Sequence, residues 1–196
     1  MTDAPRVVVA SQNPGKVREI ARMLPGWTVC SLDDFPPVAF PEEGGDYEAN
    51  AREKALTAAR AIGLPCVADD SGLEVDALGG APGAYSARYG GPGLDDRGRY
   101  EKLLEELGGE SEPRGARFYC VAACGWPDGT SVAADGECRG EIMLAPQGEG
   151  GFGYDPVFRP EGFTCAMAEI SKAEKDALSH RGRAFEALRK SMESHA

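Results

Sequence analysis

The stretch VVVASQNPGKVREIARMLPG, residues 7–26, decides the fold, because it holds a complete strand, turn and helix. Val7 to Ala10 is a short, mostly β-branched run that is typical of a buried strand. Asn13 is a good N-cap and Pro14 suits the first helical position, so a helix should begin there and end at Pro25-Gly26. A strand that leads through a short turn into a helix predicts an α/β domain.

The rest of the chain extends this beginning into a mixed sheet. Asp46 should cap a long helix that runs to Ile62 and ends at Gly63, and Ser171 with Glu174 forms a capping-box pattern. Further helices are predicted near 94–107 and 179–192. Strands are predicted near 27–32, 66–68, 73–77, 116–124 and 131–143, with a turn at Asp135-Gly136 inside the last. The predicted fold class is therefore α/β, with a mixed central sheet flanked by helices.

The composition narrows the possible partners. The chain has 196 residues without a low-complexity linker, so we expect a single domain over 1–196. A net charge of −11 argues against a nucleic-acid polymer but allows a nucleotide held through local cations or a divalent metal. The start has too short an apolar run for a signal peptide, and no stretch reaches membrane-spanning length. Six scattered cysteines without a C-x-x-C pair indicate buried thiols in a reducing cytoplasm.

The segment SQNPGK, residues 11–16, stands between the first strand and its helix. Backbone N–H groups and the helix dipole favour phosphate at such a turn, and Lys16 adds a cation one turn into the helix. It is not a P-loop, since Ala10 and Val17 replace the required glycine and hydroxyl residue. Alone, the segment is equally compatible with an ordinary capped turn.

Two acidic segments suggest a metal. Asp69 and Asp70 in VADDSG should end a strand and enter a turn, where carboxylates and Ser71 would form an oxygen-rich corner of the kind Mg²⁺ uses. The segment PEEGG, residues 41–45, could bring Glu42 or Glu43 to the same metal. Taken alone, the Asp-Asp pair is also typical of a simple turn, and Lys54 further along is also typical of a solvated helix face.

Two later segments suggest a base site. GEGGFGYDP, residues 148–156, matches G-x-G-x-x-G, but Pro156 disfavours the helix that should start at Asp155 and too little chain remains, so a dinucleotide fold is rejected. Its glycines would instead let the backbone approach a flat ligand, with Phe152 or Tyr154 as the stacking face. In SHRG, residues 179–182, His180 and Arg181 could donate to a 6-oxo group, although a surface cap would have the same sequence.

These segments, in this order, closely resemble the inosine triphosphate pyrophosphatase family, in particular the bacterial dITP/XTP pyrophosphatases. The resemblance covers nearly the whole chain and is strongest in ADDSGLEVDALGGAPGAYSARYGG, residues 68–91, joined by SQNPGK, GGFGYDPVF and ISKAEKDALSHRGRA. It implies an inosine triphosphatase-like fold, a homodimer, dependence on Mg²⁺, and conversion of deaminated purine nucleoside triphosphates to monophosphate and pyrophosphate.

The resemblance also implies residue roles. Asp70 would be the catalytic proton acceptor and, with Glu43, a metal ligand. The implied substrate contacts are Ser11, Gln12, Asn13, Pro14, Gly15, Lys16, Lys54, Ser71, Arg88, Phe152, Gly153, Tyr154, Asp155, Lys175, His180 and Arg181. The family motif often opens Thr-Gly-Asn where this chain has Ser11-Gln12-Asn13, which keeps the hydroxyl but narrows the loop.

Several alternatives stay open at this point. A nucleotide-binding sensor without chemistry would not require the paired acids, and a related enzyme for modified pyrimidine triphosphates would not be expected to carry SHRG. The sequence does not decide between Asp69 and Asp70 as the base. It also does not rank inosine against xanthosine, or identify the residue that excludes guanine.

Overall fold

A computed structural model describes residues 4–108 and 114–194 of the chain. The strands in the described residues are β1 (Arg6–Val9), β2 (Thr28–Ser31), β3 (Cys66–Val75), β4 (Pro82–Gly83), β5 (Gly115–Gly125), β6 (Ser131–Ile142) and β7 (Phe158–Pro160). The α-helices in the described residues are α1 (Pro14–Met23), α2 (Tyr47–Ile62), α3 (Asp96–Leu107), α4 (Lys172–Leu178) and α5 (His180–Glu193), and short 3-10 turns lie between some of these elements.

The strands form one mixed sheet in the order β2-β1-β3-β5-β6-β7, with β4 also paired to β3. Strand β1 is parallel to both β2 and β3, whereas the pairs β3–β4 and β6–β7 are antiparallel. Parallel pairing at one end and antiparallel pairing at the other confirm the predicted α/β class with a mixed sheet.

Contacts divide the chain into two compact units. The first consists of the chain up to Asp70, Cys120–Gly136 and the chain from His180 onward. The second consists of Ser71–Tyr119 and Glu137–Ser179. Each unit has its own apolar core. The first core includes Val7, Ile20, Val67, Phe185 and Leu188, and the second includes Leu73, Leu103, Ile142, Phe158 and Met167.

The predicted helix signals operate as expected. The Asn13 side chain caps α1 by accepting from the N–H groups of Gly15 and Lys16, and Pro14 occupies the first turn. Asp46 caps α2 in the same way, and Gly63 ends it in the left-handed conformation at φ +77°. No helix among the described residues has the length and apolar character needed to cross a membrane.

Two predicted turns are wrong. Asp69-Asp70 and Asp135-Gly136 both lie inside continuous strands, β3 and β6. Gly136 is there for close packing, because a Cβ at this position would lie 2.4 Å from the carbonyl oxygen of His180 and 2.6 Å from the amide nitrogen of Ala184. The missing side chain thus lets β6 lie against the first turn of α5.

Candidate functional site

Strand β3 separates the two adjacent aspartates. Successive side chains of a strand point to opposite faces, so Asp69 and Asp70 cannot share the compact corner that the sequence predicted. Asp69 contacts side chains of α1 and α5, whereas Asp70 contacts side chains of α2. The two carboxylates therefore have different surroundings and different chemistry.

Asp69 is the buried centre of an ion-pair network. Its Oδ2 lies 3.0 Å from Lys16 Nζ and accepts hydrogen bonds from Arg181 Nε at 3.2 Å and Nη2 at 3.1 Å. The other side of the guanidinium donates from Nη1 to Glu19 Oε2 at 2.7 Å. Burial alone would raise the pKa of Asp69, but the charges of Lys16 and Arg181 outweigh it and hold that pKa far below its ordinary value.

Arg181 differs in its contacts from the sequence-based expectation. The sequence predicts that Arg181 contacts the base, yet its side chain is 3% exposed and is held by the carboxylates of Glu19 and Asp69. Burial would lower the pKa of Arg181, but Asp69 and Glu19 raise it, so the guanidinium stays charged. A contact with a base would require these ion pairs to exchange, and that role stays a prediction.

Asp70 contacts the amide of Asn50 and the ammonium of Lys54. Its Oδ2 accepts from Asn50 Nδ2 at 2.7 Å, and its Oδ1 lies 3.8 Å from Lys54 Nζ. Burial raises the pKa of Asp70 and Glu43 raises it further, against the opposing effects of Asn50 and Lys54. The net result is a pKa above that of an ordinary aspartate, which makes Asp70 the better proton acceptor of the pair near neutral pH.

Lys54 joins the acidic segment 41–45 to β3. Its ammonium donates to Glu43 Oε1 at 2.7 Å and to the backbone carbonyl of Asp69 at 2.8 Å. Burial acts to lower the pKa of Lys54, but Asp69 and Glu43 raise it above its ordinary value, so the side chain is a positively charged ammonium. Glu43 and Asp70, the two predicted metal ligands, therefore face one positive charge. The alternative of a merely solvated Lys54 is wrong.

The turn SQNPGK is held by its own hydrogen bonds. Ser11 Oγ accepts from the Asn13 N–H at 3.2 Å, and Asn13 caps the helix. Gln12, Asn13 and Pro14 are exposed, while Ser11 and Gly15 are half-buried. The segment thus offers an accessible, ordered helix N-terminus with Lys16 behind it, which is a suitable arrangement for an anion.

The second unit contains the other predicted residues in a tight loop. Asp155 Oδ2 accepts from the Phe152 N–H at 2.8 Å and from Lys175 Nζ at 2.6 Å. The Lys175 ammonium also lies 4.9 Å from the centroid of the Phe152 ring. The Gly153 N–H donates to Asp96 Oδ2 at 2.8 Å. These contacts fix the loop and hold the half-buried Phe152 in place.

Of the two predicted stacking residues, Tyr154 is excluded. Its ring belongs to the core of the second unit, and its hydroxyl donates to the Ser86 carbonyl at 2.9 Å. The glycine prediction is also partly wrong, because a Cβ at Gly148 or Gly150 would strike the backbone of Ala168. Those two glycines allow close packing within the protein. Gly153, at φ +63°, has open space beside it.

Three further predicted residues differ in their exposure. Ser71 is half-buried and follows Asp70 in β3, and His180 is buried at the start of α5. Arg88 is exposed, with its guanidinium 4.9 Å from the centroid of the Tyr85 ring.

Two buried polar residues of the first unit were missed, Glu19 and Asn50. Each had a signal, because Glu19 is one turn after Lys16 and Asn50 one turn before Lys54 on the same helix face.

Comparison with known proteins places these features in a family. The model of the Ham1 family matches residues 7–191. A dITP/XTP pyrophosphatase from Deinococcus deserti is 51% identical over 93% of this chain and 87% of its own length. One of the same name from Streptomyces avermitilis is 48% identical over 93% of this chain and 94% of its own length.

Solved structures agree with the sequence matches. A HAM1 protein from Coxiella burnetii superimposes with a TM-score of 0.85 at 38% identity, over 97% of this chain and 99% of the other. A nucleoside-triphosphatase, dITP/XTP pyrophosphatase, from Mycobacterium abscessus gives a TM-score of 0.74 at 45% identity, over 93% and 98%. With the family model and these relatives spanning nearly its full length, the chain belongs to the Ham1 family.

Proposed function

We propose that the chain hydrolyses deaminated purine nucleoside triphosphates, namely ITP, dITP and XTP, to the monophosphate and pyrophosphate. The observation that carries the proposal is the identity of about half, over nearly the full length, to relatives named dITP/XTP pyrophosphatase. Such activity would remove deaminated nucleotides from the nucleotide pool. The contacts of the first unit support the reaction type, since they combine cations with a carboxylate of raised pKa.

The proposed reaction is attack of water on the α-phosphorus. A new bond forms from the water oxygen to phosphorus, the bond to the α–β bridging oxygen breaks, and pyrophosphate leaves. Asp70 accepts the proton of the attacking water, which its raised pKa favours. Lys16 and Lys54 neutralise phosphate charge, and positioning with charge neutralisation is most of what a protein supplies to phosphoryl transfer.

The donor set fits Mg²⁺ as the cofactor. Glu43 and Asp70 come from separate segments and both face the Lys54 ammonium, so two hard oxygen donors converge where a cation is favourable. Mg²⁺ is commonly held by one or two carboxylates, with water and substrate phosphates completing its shell. We expect Glu43 and Asp70 to hold it. When bound, it would neutralise charge on the phosphates and acidify nearby water.

Substrate contacts are proposed for both units. In the first unit, the 11–16 turn would hold phosphate, with Arg181 keeping Asp69 and Lys16 in place. In the second unit, Phe152 would stack on the base. Asp155 and Lys175 would contact the nucleotide and hold the Phe152 ring in position. Ser71, Arg88, Gly153 and His180 keep their predicted roles as substrate contacts. Tyr154 would instead support the loop from the core of the second unit.

A substrate panel tests the proposal. The protein is incubated with Mg²⁺ and ITP, dITP, XTP, ATP, GTP or a modified pyrimidine triphosphate, and pyrophosphate and orthophosphate are measured separately. We expect pyrophosphate from the first three and little from the others. Nucleotide binding without release of either product would instead indicate a sensor, and preference for the pyrimidine would indicate the related enzyme.

Assembly and location are part of the proposal. We propose a homodimer of single-domain subunits acting in the cytoplasm, without nucleic-acid or membrane partners. All six cysteines are free thiols, which suits a reducing compartment. Light scattering on the purified protein gives the oligomeric state, and a monomer at micromolar concentration would contradict the dimer.

A further inference from the structure

A buried asparagine connects the two carboxylates expected to hold the metal. Asn50 Oδ1 accepts from the Gly44 N–H at 2.9 Å, and its Nδ2 donates to the Gly44 carbonyl at 2.9 Å. The same Nδ2 donates to Asp70 Oδ2 at 2.7 Å. Asn50 is only 6% exposed, and Gly44 directly follows Glu43. One amide therefore holds both the acidic segment 41–45 and Asp70.

The chemistry of these contacts requires an amide. The side chain must accept from one backbone group and donate to another on the same residue, and it must give a second hydrogen to a carboxylate. A carboxylate at position 50 could not donate, and a hydroxyl could not satisfy three partners at once. The amide orientation is also fixed, because the reverse one would place an oxygen against the Gly44 carbonyl and the Asp70 carboxylate.

The position of Lys54 shows the effect of the hydrogen bonds that Asn50 makes to Gly44 and Asp70. Lys54 lies one turn after Asn50 on α2, and its ammonium contacts Glu43 at 2.7 Å and lies 3.8 Å from Asp70. With the acidic segment tied to α2 through Gly44, Glu43 is presented to the same positive charge as Asp70. Without that tie, the segment 41–45 would lose both hydrogen bonds between Gly44 and α2.

We infer that Asn50 is a positioning residue, which presets Glu43 and Asp70 as a pair of cation ligands by locking the acidic segment to β3. This inference rests on the proposed function, because it assigns the pair to the metal of that reaction. Residues that orient metal ligands typically affect metal affinity by about 10–100-fold when they are removed. A purely structural asparagine would change stability and leave metal affinity as it was.

The test measures metal binding directly. Mn²⁺ serves as the probe, and its dissociation constant is determined by electron paramagnetic resonance with a non-hydrolysable ITP analogue present. Two variants are compared. Asn50→Leu keeps a similar side-chain volume, and Asn50→Ala introduces the residue with the highest helix propensity, which favours folding of α2. Both should bind Mn²⁺ at least about tenfold more weakly than wild type. Affinity for the analogue without metal should change less than twofold.

The control is Arg52→Met on the same helix. Arg52 donates to Ser131 and Glu48, so its loss weakens the docking of α2 without touching Gly44 or Asp70. It should lower the melting temperature yet leave Mn²⁺ affinity unchanged. Equal Mn²⁺ affinity in wild type and both Asn50 variants would overturn the inference about Asn50. The proposed function would still stand in that case if the wild type released pyrophosphate. Absence of both Mn²⁺ binding and pyrophosphate release in wild type would overturn the two together.

Discussion

Replacing Asp69 by asparagine should destabilise the protein strongly, because it removes the anion from a buried network of two cations. The Asp69 side chain is 1% exposed, and its partners are Lys16, at 18%, and Arg181, at 3%. Breaking a buried ion pair by removing one partner costs about 3–5 kcal/mol. Lys16 can turn towards water and Arg181 keeps Glu19, so we expect the lower end, about 3 kcal/mol.

Urea and thermal unfolding measure this loss. For a domain of this size, about 3 kcal/mol corresponds to a fall in Tm of roughly 6–12 °C. Asp70→Asn is the matched control, since it removes the neighbouring carboxylate from the same strand but leaves the network of Lys16 and Arg181 whole. It should cost far less. A loss below about 1 kcal/mol for Asp69→Asn would show that Asp69 does not anchor the network.

The pH dependence of the same variant gives an independent check. The pKa of Asp69 is lowered in the folded state, so its contribution to the free energy of unfolding is fully present above the pKa of the unfolded chain, about 3.9. That contribution declines as the pH falls further. The stability difference between wild type and Asp69→Asn should therefore be constant from about pH 5 upward and shrink below about pH 4. A difference that grew on acidification would refute the assignment.

Three further predictions concern turnover. Asp70→Asn should lose nearly all kcat, while its Tm and its affinity for a non-hydrolysable ITP analogue change little. A near-normal kcat would show that another residue is the proton acceptor. Lys16→Ala should lower kcat/KM at least about tenfold, because it loses a charge-assisted phosphate contact worth about 1.5–3 kcal/mol, and unchanged triphosphate binding would reduce the 11–16 turn to a helix start. Arg181→Ala should lower kcat/KM for ITP and the residual value for ATP by the same factor, since Asp69 and Glu19 hold the guanidinium. A much larger loss with ITP would return Arg181 to the base.

Local signals were sufficient for the helices but not for the strands that carry the acids. Asn13, Pro14, Asp46 and Gly63 fix helix ends through contacts within a few residues, so the sequence predicts them correctly. The Asp69-Asp70 pair has the composition of a turn. It lies in a strand because distant residues satisfy the charge of Asp69. These residues are Lys16 and Arg181, and Arg181 lies 112 positions further along the chain than Asp69.

The candidate site shows the same division. Motifs were sufficient to propose the charged residues, because the type of each residue indicates its chemistry. These residues are Lys16, Lys54, Glu43 and Asp70. Glu19 and Asn50 have no motif of their own, and the sequence indicates them only through their helical spacing from Lys16 and Lys54. The role of an amide such as Asn50 depends on which backbone group it meets, and that follows only from the packing of α2 against β3.

Because side chains alternate between the two faces of β3, the number of residues in this strand decides which face each carboxylate points to. Val9 of β1 pairs with Val67, and from that fixed point the second and third residues are Asp69 and Asp70. Deleting or inserting one residue between Val67 and Asp69 would turn each carboxylate to the other face, so that Asp69 would face α2 and Asp70 would face Lys16 and Arg181. Between Val67 and Asp69, only a change by an even number of residues would keep each carboxylate on its present face of the strand.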